Sequence, residues 1–130
     1  MSNKIRAVMI AVLIVPAVLV FIMDKTIVKA NTATIEGFVL DSACAFTKNL
    51  QKPISPQCAT ACAKAGSPLV ILTEDGNIYL PISNDTPASG QNAKLMPVAG
   101  QRVRATGKIY RRGGSRAIAI EKLEPVPAGQ

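Results

Sequence analysis

The sequence predicts a mainly β protein: a small barrel of five strands, one short helix inserted after the first strand, and a hydrophobic helix ahead of the barrel. Three observations lead there. Five short runs of alternating or β-branched residues lie between turn signals. An Ala-rich stretch follows the first run, and a long uncharged stretch precedes them all. Five short strands suffice to close a small barrel and are too few for an immunoglobulin-type sandwich. A two-layer α+β sheet is the alternative arrangement.

The first 30 residues read as a membrane or export segment. Lys4 and Arg6 form a basic start, and residues 7–23 then run 17 positions without a charge. As a signal peptide this segment would be cleaved after Val28-Lys29-Ala30. As a signal anchor it would remain in the bilayer, 17 residues being the low end of a spanning helix. Pro16 sits in the middle and favours neither. Both readings carry residues 31–124 across the membrane as the folded domain and leave 125–130 as a disordered tail. The expected location is the bacterial inner membrane, single-pass, with the C-terminal domain in the periplasm or outside. After cleavage it would be periplasmic or secreted, and either compartment is oxidising.

Within the folded part, 34–40 (TIEGFVL) alternates and is the first strand, with Gly37 marking a bend. Residues 41–57 are expected to be irregular, Pro53 and Pro56 setting their exit. The stretch 58–65 (CATACAKA) forms about two helical turns, ended by Gly66. Next, 68–73 (PLVILT) is a fully apolar strand. Glu74-Asp75-Gly76-Asn77 is a turn, and 78–82 completes the hairpin. A Ser-, Pro- and Gly-containing linker follows, with one helical turn expected around 93–96. In 101–110 (QRVRATGKIY), Val103, Ala105, Gly107 and Ile109 fall on one face; Arg102, Arg104, Thr106 and Lys108 fall on the other. A glycine turn over 111–115 leads into the last strand, 117–123.

The spacing resembles an oligonucleotide/oligosaccharide-binding (OB) barrel, most specifically at Gly100-Gln101-Arg102-Val103-Arg104-Ala105-Thr106-Gly107-Lys108-Ile109, where a glycine, an alternating strand and a second glycine succeed one another. The exported part also resembles a group of small bacterial exported domains. Their pattern is strand, Asp-x-x-Cys, loop, Cys-x-x-x-Cys, glycine and hairpin. Here it is carried by Gly37, Asp41-Ser42-Ala43-Cys44, Cys58-Ala59-Thr60-Ala61-Cys62, Gly66 and Pro68. Members often carry a His before the second Cys, where this chain has Pro56-Gln57. The resemblance implies no established activity.

Cys44, Cys58 and Cys62 are the cysteines of the chain. Cys58 and Cys62 share one helical face and meet disulfide geometry poorly. A disulfide from Cys44 to Cys58 or Cys62 is the expected staple, worth about 3 kcal/mol through loop closure. One thiol is then left over, to be buried and inert, paired with another chain, or reactive, the last best placed at Cys58 near the helix start. The alternative is a thiolate site for one zinc or copper ion made by Cys44, Cys58 and Cys62 with Asp41.

The net charge is +7, and from Asn31 onward 11 Lys and Arg stand against 7 Asp and Glu. Between Asp85 and Glu121 every charge is positive: Lys94, Arg102, Arg104, Lys108, Arg111, Arg112 and Arg116. A basic face of Arg102, Arg104, Lys108, Arg111 and Arg112 is expected to meet an acidic envelope protein or a membrane surface. A merely solvated strand face is the plainer alternative. Nucleic acid is not expected, since few aromatics interleave the patch. Without histidine, Ser-His-Asp and Cys-His catalysis are excluded, and so are His-liganded metals. Tyr79, Tyr110, Phe38 and Phe46 are expected in the barrel core or at its rim. The leading expectation is therefore a non-enzymatic binding module without a cofactor, with thiolate metal handling as the alternative.

Overall fold

The computed structural model describes residues 31–48 and 54–127, so the apolar run at 7–23, Pro53 and the last three residues lie outside the described residues. The elements run β1 (Asn31–Asp41), α1 (Ser42–Thr47), α2 (Pro56–Lys64), β2 (Leu69–Leu72), β3 (Ile78–Pro81), α3 (Asn92–Leu95), a 3₁₀ turn at Met96–Val98, β4 (Arg102–Arg112) and β5 (Ser115–Pro125). No helix among the described residues is long and apolar enough to cross a membrane.

The strands close in the order β1-β2-β3-β5-β4, with β1 hydrogen-bonded to β4. This is the OB-like barrel that the strand pattern predicts. All contacts are antiparallel except β3 with β5. Closure depends on β1 serving two neighbours. Residues 31–38 pair with β4 and 38–41 pair with β2, so Phe38 faces both Arg102 and Leu72. Gly37 stands just before this change of partner. A Cβ there would lie 2.5 Å from the Leu72 carbonyl oxygen, so only glycine lets the two strands approach so closely. Gly107 has the matching role in β4, beside a register shift against β5 between Thr106 and Gly107.

The interior is filled by Val39, Ile71, Tyr79, Val103, Ala105, Ile118 and Ile120, with Leu95 and the helix α2 alanines Ala59 and Ala63 plugging it. The alternation of β4 is as expected: Val103, Ala105 and Gly107 are buried, while Arg104 and Lys108 are exposed. A second cluster of Leu40, Ala45 and Val70 lies under α1. It explains why β2 is apolar throughout, since both of its faces are covered.

Three local expectations are corrected. Residues following Asp41 are not irregular, because α1 begins where β1 ends. The Asp41 carboxylate starts it by accepting the Cys44 N–H at 2.6 Å. Two helices therefore follow the first strand rather than one. The barrel also extends past residue 124: β5 reaches Pro125, and the Val126 N–H donates to Arg102 O at 2.8 Å. Finally, Phe46 is 72% exposed rather than packed.

Candidate functional site

The Asp-x-x-Cys spacing is that of a helix N-cap and the third helical residue. Ser55 and Cys58 repeat it at α2, where Ser55 Oγ accepts the Cys58 N–H at 3.2 Å. Both cysteines are thus held by helix starts. Asp41 is 3% exposed, and its second carboxylate oxygen accepts the Ser67 hydroxyl. Burial alone would raise its pKa; the Ser67 hydroxyl and the Cys44 N–H outweigh this and hold it below the ordinary aspartate value.

Cys44, Cys58 and Cys62 are all free thiols, so the expected disulfide is not formed. Cys44 is fixed inside the capped helix α1, near enough to Cys58 and Cys62 of α2 for their charges to act on its thiol. Burial pushes the Cys44 thiol up, and its hydrogen bond to Asp41 and that carboxylate's charge push it further. Cys62 is raised by burial, then by the Asp41 charge and by Cys58 beside it. Both thiols therefore ionise less readily than an ordinary cysteine. Among the described residues no three His, Cys, Asp or Glu side chains are grouped to hold a metal ion. Asp41, the candidate fourth ligand, already serves Cys44 and Ser67.

The basic face divides into two parts. On β4, Arg102 and Arg104 converge on Glu36 of β1, which stands opposite Arg104. Arg104 Nε donates to Glu36 Oε1 at 2.8 Å, and its Nη2 lies 2.6 Å from the same oxygen. Arg102 Nη2 donates to Glu36 Oε2 at 3.2 Å and lies 3.1 Å from Glu74 Oε1. The Arg104 hydrogen bond, with help from the Arg102 charge, holds the Glu36 carboxyl below its ordinary value. These two arginines are engaged within the protein. Lys108, Arg111 and Arg112 are exposed, and none has an ion-pair partner among the described residues.

Arg111 and Arg112 stand at the turn end of the β4–β5 hairpin, and Lys108 lies further back, opposite Thr32 of β1. Among the described residues β1–β4 pairing runs back to Asn31 with Ile109, β3 joins β5 up to Tyr79 with Arg116, and β4 and β5 stay paired through Arg112 and Ser115. Gly113 and Gly114 close the hairpin with φ of 53° and 79°, the two positive values of a type I′ turn. The Tyr110 hydroxyl and Asn84 Oδ1, 2.9 Å apart, brace it against the 83–86 loop. Arg111 lies directly opposite Arg116, and Arg116 Nε is shielded from solvent without a hydrogen-bond partner. The alternation of the strand marked the basic residues. It did not mark Glu36 as the carboxylate that neutralises two of them, because that depends on the β1–β4 register.

No protein-family model matches the chain, and neither the curated proteins nor the solved structures contain a match.

Proposed function

We propose that the chain is a non-enzymatic binding module of the cell envelope whose contact surface is the basic end of the β4–β5 hairpin. The observation that carries this reading is the division of the cations. Glu36 and Glu74 occupy Arg102 and Arg104, whereas Lys108, Arg111 and Arg112 remain exposed and unpaired among the described residues. A merely solvated face gains nothing from gathering these three cations toward one end of a hairpin. An acidic surface does, because neighbouring cations act together on it. The barrel is the rigid support. The chain holds no histidine, which leaves Ser-His-Asp and Cys-His catalysis out of its reach.

Immobilised poly-glutamate tests the reading with the full chain in non-ionic detergent. Joint Lys108→Gln, Arg111→Gln and Arg112→Gln substitution is expected to abolish salt-resistant retention. Joint Arg102→Gln and Arg104→Gln substitution is expected to leave most of it. Equal retention of both variants and the parent would overturn the proposal.

A further inference from the structure

Resting on that reading, we infer that the acidic partner of the hairpin is an anionic lipid surface, and that the barrel stands on it with the Gly113-Gly114 turn toward the headgroups. Strand direction is the first reason. β1 leads away from Asn31, and β4 runs antiparallel to it, so the hairpin turn lies at the Asn31 end of β1. Arg112 lies three residues past the Asn31–Ile109 pair, about 10 Å at the rise of an antiparallel strand.

Reach is the second reason. Seven residues, 24–30, separate the uncharged run 7–23 from Asn31, and seven residues span at most about 25 Å. A surface holding the apolar run is therefore close enough for the tip to touch. Lys25 and Lys29 outnumber Asp24 among the seven, so the connecting sequence and the tip share a sign.

The third reason is internal strain of charge. Arg111 and Arg116 face each other across the hairpin with Arg112 adjacent, and like charges directly opposite on paired strands repel. Opposite residues of an antiparallel pair lie on one face, and neighbours along a strand alternate. Arg111 and Arg116 therefore mark one side of the tip, Lys108 and Arg112 the other. A groove in a folded acidic protein would serve one side. A plane of phosphate headgroups met end-on serves both, and it screens the repulsion. Each cation near such a surface strengthens attachment about fivefold at low salt.

The chain contains no tryptophan, so one introduced indole reports its own position. The full chain carrying Ser115→Trp, at the tip, or Gln57→Trp, on α2, is reconstituted in phosphatidylcholine vesicles with or without phosphatidylglycerol, each with a nitroxide-headgroup lipid as quencher. Helix α2 packs near Gly100, just before β4 begins and so at the end remote from the turn. The expected result is strong quenching at Ser115→Trp and little at Gln57→Trp in phosphatidylglycerol vesicles. Tip quenching should fall in phosphatidylcholine alone and in 0.5 M salt, where the screening length is only a few ångströms. Adding Arg111→Gln, Arg112→Gln and Arg116→Gln should reduce the docked ratio about a hundredfold. Because the salt series uses the unaltered hairpin, it holds even if that triple variant folds poorly. Equal quenching at both positions, or tip quenching indifferent to lipid charge and salt, overturns the lipid assignment. An unquenched tip in a chain that still binds poly-glutamate would also reject the lipid and leave an acidic protein as the partner. Loss of both behaviours would reject the binding-module reading itself.

Discussion

Replacing Asp41 separates a helix cap from a metal ligand. In the structure one carboxylate oxygen accepts the Cys44 N–H and the other accepts the Ser67 hydroxyl. Asp41→Ala removes both acceptors at a site only 3% exposed. Loss of an N-cap costs about 1 kcal/mol, and stranding the Ser67 hydroxyl adds about 1–2 kcal/mol. The total is about 2–3 kcal/mol, or a fall in Tm of roughly 10–20 °C for a domain of this size. Asp41→Asn keeps an acceptor oxygen for the helix and is expected to cost less than about 1 kcal/mol. Urea unfolding followed by far-UV circular dichroism measures both, without added metal. A double-mutant cycle with Ser67→Ala should show coupling, since the two side chains share one bond. The pH dependence has a definite sign. The folded-state pKa of Asp41 is lowered, so its ionised contribution is complete above the ordinary aspartate value of about 3.9 and is lost as the pH falls below it. The gap between parent and Asp41→Asn should therefore narrow in acid. An Asp41→Ala variant within about 0.5 kcal/mol of the parent, or strict additivity with Ser67→Ala, would refute the capping argument.

Gly107→Ala should destabilise the barrel by about 1–3 kcal/mol, because its Cβ would lie 2.9 Å from the Ala119 carbonyl carbon and 3.0 Å from Ile120 Cα, backbone that cannot step aside; unchanged urea stability would contradict this. Glu36→Gln should increase retention on poly-glutamate by releasing Arg104, while Arg102 keeps Glu74, and the stability that Glu36 contributes should vanish in high salt and as pH falls below about 4.3. Timed alkylation of the native protein, read by peptide mass, should label exposed Cys58 before half-buried Cys44 and Cys62. Those two thiols are raised in the folded state, so the unfolded chain ionises first and stability should decline as pH rises past about 8.5.

Much of this barrel was legible in one dimension. Alternation placed Val103, Ala105 and Gly107 inside and Arg104 and Lys108 outside, because a strand has a period of two and only one face of β4 meets the core. Turn chemistry marked Glu74-Asp75-Gly76-Asn77 and Gly113-Gly114, where glycines adopt the positive φ that other residues avoid. The cap at Asp41 was also legible, since an aspartate directly before Ser-Ala-Cys-Ala is a helix-start signal. The same aspartate also fits a ligand spacing with the cysteines, and only the fold shows both of its oxygens engaged by Cys44 and Ser67.

Register and long-range contact were decided by the tertiary structure alone. The sequence marked Arg102 and Arg104 as cations; only the pairing of β1 with β4 set Glu36 beside them and left Lys108, Arg111 and Arg112 free. Nothing local brings Ser67 to Asp41, or makes Phe38 the residue where β1 changes partner. Local propensity acts over a few residues and can be read from their order. Which distant residues meet depends on barrel closure, where a shift of one residue in register would exchange the inner and outer faces of an entire strand.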